Sequence, residues 1–251
     1  NDSGHKGAGF DGSFMQDQES LLNFLYQSVG KVTVAGKQIV AARYGKPADK
    51  SYFVGCSTGG REGMIASQRF PNEFDGIVAG APAMRTNYSN LAVRWITTSL
   101  NTAAPKDAEG KAQTDKALSP SDRKLFIDAL LKRCDAKDGV ADGLVYNVKG
   151  CDFDPAVLAC KAEKNDSCLS AQQVKAIKQG FKGPIDSRGR QVYPGFLYDT
   201  GIAASGKGLP GLLVTGFAPE GENPKGTEMD IDAAAAAAHD GRSMAGDTDA
   251  W

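Results

Sequence analysis

Histidine is scarce in this chain: His5 and His239 are the only two in 251 residues. A reaction that needs an imidazole base has few sources within it. No run of 18 apolar residues occurs, which excludes a membrane-spanning helix. Charge of one sign is also missing. There are 29 Lys and Arg against 30 Asp and Glu, with no basic stripe and no acidic tail. Nucleic acid and membrane surfaces are thereby disfavoured as partners. The five cysteines include no Cys-x-x-Cys pair, the spacing of structural zinc sites. What is present is length, 251 residues being enough for one large α/β domain or a domain carrying an inserted subdomain, and a 41% apolar composition that fits a globular core.

The most informative stretch is Ser51 to Arg61, reading SYFVGCSTGGR. Tyr52 to Val54 is a short apolar run of strand type. The chain turns at Gly55, and Arg61 to Arg69 has helical character, stopping before Pro71. The turn spells Gly55-Cys56-Ser57-Thr58-Gly59, an instance of the G-x-S-x-G nucleophile elbow. A serine hydroxyl is a weak nucleophile and must project from a tight turn where a base can reach it. The backbone N–H of Thr58, opening the helix, can face a developing oxyanion. The competing reading is a glycine-rich turn with a solvated serine. A phosphate loop is a poor rival here, because neither Gly-Lys-Ser/Thr nor G-x-G-x-x-G falls at these glycines.

Residues 17 to 45 space their apolar positions close to a helical period, although Val32-Thr33-Val34 could form a strand. Gly76 to Ala79 reads as a second strand. Strand, helix and strand make a βαβ unit, hence a parallel sheet and an α/β fold. Residues 86 to 104 look helical. Trp95 and Ile96 lie on an apolar stripe, as packing residues or as a surface over a substrate. Residues 105 to 117 read as a polar linker. A helix capped by Ser119 or Ser121 runs to about Arg133, and another, capped by Ser170, runs to about Gly180. Residues 183 to 190 read as a turn between short strands. Phe196, Tyr198 and Phe217 lie in loops that either pack or line a pocket. Ala233 to Ala238 form a short helix by propensity alone.

Cys134, Cys151, Cys160 and Cys168 cluster in polar sequence and fit two local disulfides in an oxidising compartment. Three connectivities are open to four cysteines. Cys56 is left over. The stretch Cys134 to Leu144, CDAKDGVADGL, places carboxylates at Asp135, Asp138 and Asp142. Such oxygens suit a hard cation, but Tyr146 stands where an EF-hand needs Glu. The alternative is an Asp/Gly turn whose carboxylates face water.

Ser51 to Ala83, with its Cys-Ser pair, Gly-Gly-Arg and FDGIVAGAP run, resembles the tannase/feruloyl esterase family. The resemblance implies an α/β-hydrolase core with a parallel sheet and nucleophile elbow, plus an inserted lid domain. Residues 1–85 would belong to the core, 86–249 to the lid, and 250–251 would return toward the core. It implies Ser57 as nucleophile and Thr58 as oxyanion donor. It implies structural calcium (Ca2+) on Asp135, Asp138 and Asp142 and on the carbonyls of Val140 and Leu144. It pairs Cys134 with Cys151 and Cys160 with Cys168, and pairs Cys56 with a cysteine outside this chain. The partner would be a small aromatic ester, such as a feruloyl or galloyl ester, and the protein would be secreted.

A triad of this fold runs Ser, then Asp or Glu, then His. His5 precedes the serine and reads as a structural loop residue. His239 follows an alanine run, a poor setting for a base. The acid and base are therefore expected outside this chain, which reads as the interior of a larger enzyme and would be inactive alone. Two rivals remain. One is a non-catalytic, calcium-stabilised binding domain on a degenerate hydrolase fold. The other is a thiol enzyme using Cys56, disfavoured because position x of the elbow points away.

Overall fold

The computed structural model describes residues 13–205, 211–214 and 226–239. His5, Phe217 and residues 250–251 lie outside them. The described chain divides into two compact units, one within residues 13–87 and one within 88–239.

The first unit opens with α1 (Gln18–Leu22), capped by the Asp17 carboxylate on the Ser20 amide. A π-helical turn (Asn23–Gln27) joins it to α2 (Ser28–Tyr44). Val32-Thr33-Val34 is thus helical, and Thr33 satisfies its hydroxyl on the Val29 carbonyl. Gly45 ends α2 at φ 70°, a left-handed cap open to glycine without steric cost. Then follow β1 (Tyr52–Cys56), α3 (Thr58–Arg69) and β2 (Gly76–Gly80). The strands pair in parallel, Tyr52 opposite Gly76 and Cys56 opposite Gly80. The α/β expectation holds, with a correction: α3 begins at Thr58, three residues before the expected Arg61. Both glycines at 59 and 60 are helical, and Gly60 lies against β2, where a side chain would meet the Gly80 carbonyl.

The helices of the second unit are α4 (Thr86–Asn101), α5 (Pro120–Cys134), α6 (Ala171–Lys182) and α7 (Ile231–His239). Ser119 and Ser170 each form a capping box, with Asp122 and Gln173 as reciprocal partners. The two boxes interlock. Gln173 Nε2 donates to Asp122 Oδ2 at 2.9 Å and to the Ala117 carbonyl at 3.0 Å. Lys164 Nζ lies 2.7 Å from Asp122 Oδ1. The core gathers Ile96, Leu100, Phe126, Leu130, Leu169, Ile177 and Phe181. Tyr198 joins it by ring contacts to Phe126 and Phe181, so it packs rather than lining a pocket. Trp95 donates its indole N–H to the Gln179 carbonyl at 3.1 Å.

Two expectations fail here. Residues 105–117 are not a linker: Lys106 bridges Ala112, and Ala112, Thr114 and Ala117 are buried. Thr114 donates its hydroxyl to buried Asn101, a tertiary contact that composition does not reveal. The strands around 183–190 reduce to one antiparallel bridge, Ile185 to Gln191, closed by an Asp186-centred turn.

Candidate active site

The elbow is built from backbone contacts. A Cβ at Gly55 would fall 2.2 Å from the Gly59 carbonyl oxygen, and one at Gly60 would fall 2.3 Å from that of Gly80. Only glycine lets strand and helix approach this closely. Gly63 continues the contact, its hypothetical Cβ 3.3 Å from that of Ala79.

Ser57 sits between β1 and α3 at φ 59°, ψ −118°. A non-glycine residue held there carries about 1 to 3 kcal/mol of strain and persists only where its surroundings fix it. Here they do. Ser57 N–H donates to the Gly80 carbonyl at 3.1 Å, while its own carbonyl accepts from Arg61 N–H at 3.0 Å and Ala83 N–H at 3.1 Å. The residue itself is exposed. Ala81 (φ 37°) and Arg85 (φ 48°) also take left-handed conformations. Among the described residues, strained non-glycine backbone is thus confined to the segments leaving the carboxyl ends of β1 and β2. That end of a parallel sheet is where α/β proteins bind ligands. Thr58, the first residue of α3, has an amide with no intrahelical acceptor, at the positive end of the helix dipole.

Cys56 ends β1 as an exposed free thiol. His239 is exposed and closes α7 in the second unit. Neither the acid nor the base of a triad is assigned from the described residues.

The sequence reading used Arg61 only as part of a pattern and missed its burial. It is 3% exposed and sits in the first turn of the elbow helix itself. The available signal was periodicity: Arg61 precedes buried Ile65 by four residues, which places both on one helix face.

In the second unit, the expected calcium ligands share one exposed loop. Asp135 Oδ1 accepts from the Asp142 and Gly143 amides, and Asp138 accepts from Val140 N–H and Tyr146 N–H. Asp142 accepts from Leu144 N–H. Gly139 and Gly143 take left-handed turns, at φ 101° and 82°. Among the described residues, no three acidic, histidine or cysteine side chains converge on one point. The donor set nevertheless fits a hard cation in kind, being carboxylate and carbonyl oxygen throughout. Cys134 is bonded to Cys151, beside this loop, and Cys160 to Cys168, the pairings the family resemblance implied.

A strand, a strained exposed serine and a helix N-terminus at the carboxyl end of a parallel sheet define an α/β-hydrolase-type elbow. The family model for tannase and feruloyl esterase matches residues 1–214, and the chain belongs to that family. It is 44% identical to mono(2-hydroxyethyl) terephthalate hydrolase of Piscinibacter sakaiensis, over 76% of this chain and 34% of that protein. It is 35% identical to a probable feruloyl esterase B-2 of Aspergillus flavus, over 76% of this chain and 35% of that protein. Among solved structures, feruloyl esterase B from Aspergillus oryzae superposes with a TM-score of 0.69 at 27% identity, covering 94% of this chain and 47% of that one. The chain spans about a third of the length of these curated relatives.

Proposed function

We propose that this chain is the nucleophile-bearing part, together with the lid, of a secreted serine esterase that cleaves esters of aromatic acids. The observation that carries this is the pinned, exposed, left-handed Ser57 at the strand-to-helix turn. Ser57 Oγ attacks the ester carbonyl and gives its proton to a base supplied elsewhere in the whole protein. The oxyanion of the tetrahedral intermediate faces the Thr58 amide. The alcohol leaves with a proton, and water then releases the acid from the acyl-enzyme. The named substrates of the relatives support an aromatic acyl group. Residues 86–249 would cover the site and select that group. Cys56 would bond to a cysteine outside this chain. Two disulfides and the family support secretion.

In the full-length enzyme, Ser57→Ala is expected to lower kcat/KM on feruloyl, galloyl and related aromatic esters by on the order of 10⁴-fold or more. Unchanged hydrolysis would defeat the assignment and leave the non-catalytic reading.

Calcium is proposed as a structural ion held by Asp135, Asp138, Asp142 and the carbonyls of Val140 and Leu144. Its part is to fold a loop poor in buried apolar groups. Chelation should lower the melting temperature of the second unit, by a loss of about 3 kcal/mol if the ion stands near a hundred times its Kd. Labelling of Ser57 in the still-folded enzyme should not change. Melting that ignores the chelator would remove the ion from the account.

A further inference from the structure

We infer that Arg61 is a positioning residue for the nucleophile: its guanidinium fastens the first turns of α3 to the π-helical turn at 23–27 and so holds Ser57 and the Thr58 amide in register. The inference rests on the reading of Ser57 as nucleophile.

Arg61 Nη1 donates to the Leu25 carbonyl at 3.2 Å and Nη2 to the Phe24 carbonyl at 3.1 Å. Its carbon Cζ lies 4.7 Å from the centre of the Phe24 ring, a cation–π contact. Two turns further along α3, Arg69 stands 4.4 Å over the ring of Tyr26. The elbow helix is thus clasped twice to one short segment. On its other side, the Arg61 amide bonds directly to the Ser57 carbonyl. The residue that grips the π-turn is therefore the residue that grips the nucleophile's backbone. Segments of π-helix are uncommon and occur frequently at functional sites.

Stability alone gives a poor account of an arginine here. No carboxylate pairs with Arg61 among the described residues, and burial pushes its pKa down, outweighing the opposing effect of Glu62. Burying an unpaired guanidinium costs free energy that an apolar side chain of similar length would not. What arginine adds is a planar fork that fixes two carbonyls in one geometry. A displacement near 1 Å in a catalytic group can cost about 100-fold in rate.

The test compares Arg61→Met and Arg61→Lys with the unsubstituted full-length enzyme. Three quantities are measured: the rate of fluorophosphonate labelling at Ser57, kcat and KM on an aromatic ester, and the melting temperature. Positioning predicts that Arg61→Met labels about 100-fold more slowly. Its kcat should fall in parallel, KM should hold, and melting should stay within a few degrees. Arg61→Lys, which keeps the charge without the fork, should be slowed at least several-fold. Wild-type labelling rates in both variants would overturn the inference. So would loss of a cooperative melting transition in both, which would make Arg61 a folding determinant only. Failure of the unsubstituted enzyme to label at Ser57 would overturn the nucleophile reading, and this inference with it.

Discussion

The two units are held together in different ways. Within 88–239, buried apolar side chains form a continuous cluster, two helix caps interlock through Asp122 and Gln173, and two disulfides close local loops. Within 13–87, buried apolar residues are few, Val29, Ile65 and Ala66 among them. There α3 meets the strands backbone to backbone at Gly55 and Gly60, and Gly63 sits against the side chains of Ala79, Ile77 and Phe53. The sheet also leaves Tyr52, Val54 and Val78 exposed at 68%, 75% and 60%. Parallel sheets are ordinarily covered on both faces, so this face has the composition of one that meets further protein. The contrast suggests a division of labour. One unit stores stability in side chains, while the other gives up side-chain burial to hold one strained serine in a fixed place.

The sharpest way to break that contrast is at Gly60. In Gly60→Ala the new methyl would meet the Gly80 carbonyl, so α3 must lift from β2. We expect a loss of about 3 kcal/mol or more from the first unit. Hydrogen exchange should show amides of β1 and β2 losing protection while those of α5 and α6 keep theirs. Equal loss in both units would mean that they are not separately stabilised. Reduction of the disulfides should act the other way round. Opening Cys134–Cys151, which spans 17 residues, is expected to cost the second unit about 3 kcal/mol and leave protection of β1 unchanged. A first unit that loosens on reduction would contradict the division.

The smallest effect concerns acid. Burial pushes the Asp122 carboxyl up, but Lys164, the Ser119 amide and Gln173 outweigh it and hold it below the ordinary value. A depressed carboxyl contributes stability above its unfolded pKa and loses it as pH falls through the folded one. The second unit should therefore weaken below about pH 4. Asp122→Asn should cost about 1 to 3 kcal/mol at neutral pH and flatten this acid dependence. Melting curves from pH 7 to pH 2 decide it. An unchanged acid profile in the variant would show that Asp122 is not the responsible group.

Local rules made much of this legible from sequence. The strand, the Ser57 turn, the helix after it and the second strand follow from apolar runs and glycine placement. Ser170, and the pair Ser119 and Ser121 between which the structure chooses Ser119, announced two helices by their caps. What stayed hidden depended on partners distant in sequence. The packing of residues 105–117 rests on Asn101 and Thr114, and the interlock of the caps joins residues about fifty apart. The burial of Arg61 depends on carbonyls 36 and 37 positions earlier, in a π-turn that no composition signals. The tight turn at Ser57 was implied by its motif, but its positive φ and the three backbone bonds that sustain it belong to the fold.

The most direct test of the account is to catch the acyl-enzyme. The full-length protein is mixed with excess aromatic acid ester, quenched in acid within the first turnovers, digested and mapped by mass. The account predicts the added acyl mass on the peptide that contains Ser57, and its absence in Ser57→Ala. Acyl mass on another residue, or turnover that survives Ser57→Ala, would contradict it.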